Sequence, residues 1–150
     1  MKSIYQFATQ VVAEKSELPR DRDPFITLAN DARKRIREIA PRGMAKLKQS
    51  TVIIDVREND EFIQGYISGA RNVSHRVLER EVKNIVPDSL SPILLYCSCG
   101  SRSALAADNL QKMGYQNVYS LKGGLSAWLE AGGVVETRRT PGSSREDCEI

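Results

Sequence analysis

The chain has 150 residues, with 22 Lys and Arg against 19 Asp and Glu, a net charge of +3, and 41% apolar residues, which suits one domain with a single core. Residues 1–50 carry 11 basic and 6 acidic residues and residues 51–150 carry 11 and 13, a balance that argues against nucleic acid and reads as a solvated basic face. There is no apolar run of about 18 residues for a membrane span, and three cysteines, two of them one residue apart, exclude a disulfide framework and fit a reducing cytoplasm.

At the N-terminus, Met1 to Glu17 lacks the apolar stretch of a signal peptide. Ile4, Phe7, Ala8, Val11 and Val12 recur at helical spacing and predict a helix over residues 3–17. Leu18 to Pro24 is a polar break with two prolines. A second helix is expected from Ile26 to Ala40, with Ile26, Ala29, Ile36 and Ile39 on one side, ending ahead of Pro41. Arg42 to Lys48 suggests a further short helix.

Thr51 to Val56 is a continuous β-branched run, the mark of a strand buried on both faces of a parallel sheet. Asp60 to Gly65 reads as a short helix, Gly69 to Val73 as a short strand and Val77 to Ile85 as a helix. Pro87 and Pro92 bracket a loop before the strand Ile93 to Tyr96. A helix from Ser103 to Met113 stops at Gly114, where a residue without a Cβ tolerates the left-handed conformation. Val118 to Leu121 is another strand, Gly123-Gly124 a turn, and Leu125 to Ala131 a last helix carrying Trp128. Arg138 to Ile150 is polar and reads as a loose tail. This order predicts an α/β fold: a three-layer α/β/α domain over residues 41–136, a helical extension over 1–40 and a tail over 137–150.

Between the strand ending at Tyr96 and the helix from Ser103 lies Cys97-Ser98-Cys99-Gly100-Ser101-Arg102. A strand feeding a helix through small residues makes a nest of backbone N–H groups at the helix N-terminus. Such a nest favours the thiolate, the nucleophilic form, so Cys97 is the candidate covalent catalyst. In a parallel sheet the site lies beyond the carboxyl ends of the strands, where Cys97 falls.

Three stretches together resemble a single-domain rhodanese, a thiosulfate sulfurtransferase-like family. They are Asp55-Val56-Arg57-Glu58 with Glu61-Phe62 and Gly65 to Val73; Tyr96-Cys97 through Gly100 to Ala104; and Gly114-Tyr115, Asn117-Val118, Leu121, Gly123-Gly124 and Ala127-Trp128. The likeness covers about residues 45–135. It implies a five-stranded, mostly parallel sheet and a ping-pong transfer needing no cofactor. Cys97 would take sulfur from thiosulfate, a persulfide or a polysulfide, and pass it to cyanide, a small thiol or a protein thiol. The loop residues Ser98, Cys99, Gly100, Ser101, Arg102 and Ser103 would hold the persulfide, whose charge needs aligned N–H donors and a helix dipole. Asp55, Arg57 and Glu58 would support the site.

Several positions keep two readings. Arg102 either contacts the anionic donor or bridges to Glu58 or Glu61 as a brace. Cys99 is either a tolerated small residue or a resolving thiol for Cys97. Tyr66 and Ser74 depart from the His and Pro frequent in the family, at positions that look structural. The loop itself offers no second cation for the thiosulfate dianion, which points to persulfides or polysulfides as donors. Cys97 and Cys99 are too close together for a usual metal pair, and His75, the sole histidine, reads as a surface residue, so no metal site is expected. Cys148 reads as an idle tail thiol. Residues 1–40 are expected to pack on the domain or make a homodimer. Two rivals stand beside the sulfurtransferase: a sulfur-carrier or redox-sensing module without activity, and a cysteine phosphatase, whose loop is one residue longer than the four residues between Cys97 and Arg102.

Overall fold

The computed structural model describes residues 23–138. The expected helix over 3–17, the tail from residue 139 and Cys148 lie outside the described residues. In chain order the elements are α1 (Pro24–Arg33), β1 (Arg37–Ile39), a 3₁₀ helix (Pro41–Lys46), β2 (Val52–Asp55), α2 (Asn59–Gln64), β3 (Arg71–Asn72), α3 (Leu78–Ile85), β4 (Ile93–Tyr96), α4 (Ser101–Lys112), β5 (Val118–Leu121) and α5 (Gly124–Glu130). The strands form one sheet in the order β1-β5-β4-β2-β3, and every pairing is parallel.

Strand alternation divides the core into two layers. Ile93, Leu95 and Cys97 face one side with Ile54, Val56 and Val118, against Leu78 and Val82 of α3 and Ala106, Ala107 and Leu110 of α4. Leu94, Tyr96 and Leu121 face the other, with Leu125 and Trp128 of α5. All four residues of β4 are buried, as a central parallel strand requires. Cys97, one step past the strand, keeps the alternation and sits on the α4 side.

Two sequence expectations are corrected. The helix expected through Ala40 ends at Arg33, and Arg37–Ile39 pairs with Tyr119 to Leu121 of β5 as an edge strand. Ile36 and Ile39 would share a helix face, but here Ile36 joins the α4-side core and Ile39 the α5-side core. Their odd spacing fits a strand that crosses the sheet plane, and the open edge of β5 supplies the backbone partners. Second, α4 begins at Ser101, two residues earlier than expected, so Ser101 and Arg102 belong to its first turn.

Candidate active site

Gly100 is the N-cap of α4, with a positive φ of 96°, and has no side chain to satisfy the first helical N–H groups. Cys97 takes over that task. Its Sγ accepts from Gly100 N–H at 3.1 Å and from Ser103 N–H at 3.4 Å, and lies 3.5 Å from the Ser103 hydroxyl. The sulfur therefore occupies the place of a capping oxygen at the positive end of a twelve-residue helix. Cys97 is buried, whereas Cys99 is exposed.

The loop is seated from behind by α5. Leu125 N–H donates to the Cys97 carbonyl at 2.8 Å and Ser126 N–H to the Ser98 carbonyl at 3.0 Å. Gly124 permits this approach. With φ of 61°, a Cβ there would stand 2.6 Å from the Ser98 carbonyl carbon and 2.7 Å from Cys99 N. The sequence marks Gly123-Gly124 only as a turn; its weight comes from the backbone it presses against.

Arg102 is a brace. Its two terminal nitrogens meet the Glu61 carboxylate at 2.8 and 2.9 Å, and Glu61 Oε2 also lies 3.3 Å from the Ser98 hydroxyl. The Arg102 bond, opposed by partial burial, holds the Glu61 carboxyl down at about 2. The same pairing raises the Arg102 pKa above its ordinary value. Of the two carboxylates considered for Arg102, Glu61 is the partner. Glu58 instead caps α2 and accepts from the Ser74 hydroxyl at 2.6 Å, away from Arg102.

Asp55 and Arg57 form a second, buried pair at 2.8 Å. Arg57 also donates to the Gly65 carbonyl at 2.6 Å, which fastens the end of α2 to the end of β2. Burial alone would lower the Arg57 pKa; the bond and charge of Asp55 raise it instead. Neither residue hydrogen-bonds the Cys97 loop, so they shape the rim and not the sulfur.

Two neighbours escaped the sequence reading. Arg33 of α1 brings Nη2 to 3.5 Å from the Ser101 hydroxyl, so a cation from outside the three likeness stretches borders the loop. Arg33 is itself held by Asn30 at 2.6 Å and Glu38 at 3.5 Å. Ser120 of β5, on the α4 face with Val118, meets Ser103 at 2.8 Å. A hydroxyl on the buried face of a central strand was the available signal for it.

A cavity of about 320 Å³ opens between α2 and α5, with Asp60, Glu61, Leu125, Leu129 and Val135 in its wall. Among the described residues no three His, Cys, Asp or Glu side chains group as metal ligands would. Among them too, no helix is long and apolar enough to cross a membrane.

The family model described as "Rhodanese-like domain" matches residues 41–131, more than half of the chain. A Bacillus subtilis protein, YqhL, described as uncharacterized, is 40% identical over 87 residues, which span 58% of this chain and 65% of YqhL. The thiosulfate sulfurtransferase GlpE of Shewanella oneidensis is 37% identical over 83 residues, spanning 55% of this chain and 80% of GlpE. Among solved structures, the polysulfide-sulfur transferase homodimer of Wolinella succinogenes aligns with a TM-score of 0.66 at 25% identity, covering 81% of this chain and 92% of that one. A Rhodopseudomonas palustris protein of unknown function, named as a possible tyrosine phosphatase, aligns with a TM-score of 0.68 at 27% identity, covering 79% and 99%.

Proposed function

This chain belongs to the rhodanese-like domain family, and we propose that it is a sulfurtransferase that carries sulfane sulfur as a persulfide on Cys97. The observation that supports this most is the pair of backbone N–H groups, from Gly100 and Ser103, aimed at one buried sulfur at a helix N-terminus. In the first half-reaction the Cys97 thiolate attacks the outer sulfur of thiosulfate, a persulfide or a polysulfide. A sulfur–sulfur bond forms to Cys97, the donor's own sulfur–sulfur bond breaks, and its electron pair leaves with sulfite, a thiolate or a shortened polysulfide. In the second, a thiol or cyanide attacks the outer sulfur and the Cys97 thiolate is released. The negative charge lies on Cys97 Sγ in the free thiolate, moves to the outer sulfur in the persulfide and returns to Sγ when the acceptor takes the sulfur. The N–H donors on Sγ therefore favour the attacking form and the leaving group alike.

GlpE, a relative of 37% identity, is named a thiosulfate sulfurtransferase, and the Wolinella neighbour a polysulfide-sulfur transferase. Those names support sulfane sulfur as the cargo and a small sulfur compound as the donor. A reducing, cytoplasmic setting completes the reading, with residues 1–40 either packing on the domain, as Arg37–Ile39 does beside β5, or making a homodimer.

The test is single-turnover sulfur loading, read by intact mass, from thiosulfate and from polysulfide. Wild type should gain one sulfur that cyanide removes, and Cys97→Ser should gain none. Loading that survives Cys97→Ser would overturn the assignment, as would turnover of an aryl phosphate in place of sulfur.

A further inference from the structure

We propose that Ser120 is a positioning residue for the reacting sulfur, acting through Ser103. The proposal deepens the sulfurtransferase reading and rests on it. Cys97, Ser103 and Ser120 all have no exposed surface, so each of their polar hydrogens must be spent on a neighbour inside the protein. The Ser120 hydroxyl has one partner among the described residues, the Ser103 Oγ at 2.8 Å. Its proton therefore goes to Ser103.

Ser103 then holds a single proton, given to the Gly100 carbonyl at 3.3 Å while the Cys97 thiol donates to its Oγ at 3.5 Å. Once the sulfur is ionised, Sγ becomes a second acceptor for that proton. Without Ser120 donating, the Ser103 proton would have a third choice, the closest oxygen of all. With Ser120 donating, that choice is closed. When the sulfur is anionic, the charge-assisted bond wins over a long bond to a neutral carbonyl. The result is a two-hydroxyl chain, Ser120 to Ser103 to Cys97, in which each bond polarises the next.

The fold explains why strand and helix meet here. Val118 and Ser120 alternate on the α4 face of β5, and Ser103 lies in the first turn of α4, directly after the loop. The fixed charges around the loop are already matched: Arg102 with Glu61, Arg57 with Asp55, and Arg33 with Glu38. Against that neutral background the hydroxyl chain adds a directed dipole aimed at the sulfur. It favours the anion on Sγ, the form that attacks the donor and the form that leaves when the acceptor takes the sulfur.

The experiment is a double-mutant cycle of Ser120→Ala and Ser103→Ala, each protein assayed for single-turnover sulfur loading from polysulfide across pH. Ser103→Ala should slow loading at neutral pH by roughly two- to tenfold, the weight of one ordinary hydrogen bond, and Ser120→Ala by less, because it removes only the polarisation of that bond. The pH profile of Ser120→Ala should move to higher pH and rejoin wild type where the thiol is fully ionised. Ser120→Thr, which keeps the hydroxyl on a β-branched strand residue, should restore the profile. In the Ser103→Ala background, Ser120→Ala should cost nothing further, because the chain is already cut. Additive losses, or a loss equal at every pH, would overturn the proposal. Wild type that takes up no sulfur would overturn the function itself, a different outcome.

Discussion

Arg102 gives both terminal nitrogens to Glu61, at 2.8 and 2.9 Å, so the only cation in the 97–103 sequence is spent on the protein. A thiosulfate dianion arriving at this loop meets a matched pair and not a free guanidinium. The expected outcome is poor thiosulfate use beside efficient polysulfide use. Glu61→Gln should free Arg102 and lower the thiosulfate KM by roughly fivefold, the weight of about 1 kcal/mol for a partly exposed charge. Steady-state cyanide assays on both donors check this. A micromolar thiosulfate KM in wild type, or a KM unmoved in Glu61→Gln, would count against it.

The same pair sets an acid limit. The Glu61 carboxyl is held at about 2, against an ordinary value of 4.5, chiefly by its bond to Arg102. A carboxyl depressed in the fold stabilises it above the unfolded value and loses that contribution as pH falls through the folded one. Asp108, lowered by Arg35, acts in the same direction. The Tm difference between wild type and Glu61→Gln should therefore be full near neutrality and close between about pH 5 and pH 2. Thermal melts across that range measure it; a difference constant with pH would refute the linkage.

Sequence reading reached most of this architecture because β4 and β2 are short apolar runs that leave no alternative to a buried strand. Cys97 was legible for the same reason: it stands where the Ile93 to Tyr96 run stops. The edge strand was not. Ile36 and Ile39 satisfy helical and strand spacing alike, and only the open edge of β5 decides between them. Ser98 to Arg102 look like loop in isolation, which hides that Arg102 belongs to the first turn of α4. The start of α4 at Ser101 depends on Cys97 Sγ acting as its cap, a contact that sequence periodicity does not encode. Ser120, Arg33 and the pressure on Gly124 are likewise properties of elements brought together from distant segments.

Gly124 is predicted to tolerate no side chain. Gly124→Ala would set a Cβ against the Ser98 carbonyl carbon and Cys99 N, and would force φ of 61° on an L-residue. Backbone strain of this kind costs about 1–3 kcal/mol, and the displaced atoms are those that hold the sulfur nest. The variant should lose sulfur-loading rate by more than its stability loss accounts for. Gly132→Ala is the control: it also has positive φ, of 87°, but a Cβ there meets nothing within 4 Å. It should lose stability through strain alone and retain the loading rate of its folded fraction.

Tyr96 carries the opposite kind of burden. Its side chain lies on the α5 face of the sheet, away from Cys97, and its hydroxyl accepts from the Ile67 N–H at 3.0 Å. Tyr96→Phe would leave that N–H buried without a partner, at a cost of about 1–3 kcal/mol. For a chain of this length the Tm should fall by roughly 2–4 °C per kcal/mol. Burial, and then the nearby Asp55 carboxylate, push the phenol above its usual range, so it stays protonated wherever the protein is folded. The Tm loss should consequently be flat from acid to neutral pH, unlike that of Glu61→Gln. Sulfur loading per folded molecule should stay near wild type, because neither the N–H groups of the nest nor the Ser103 hydroxyl touch this face. A loading defect larger than the unfolded fraction explains would show that the two faces of the sheet are coupled through β4.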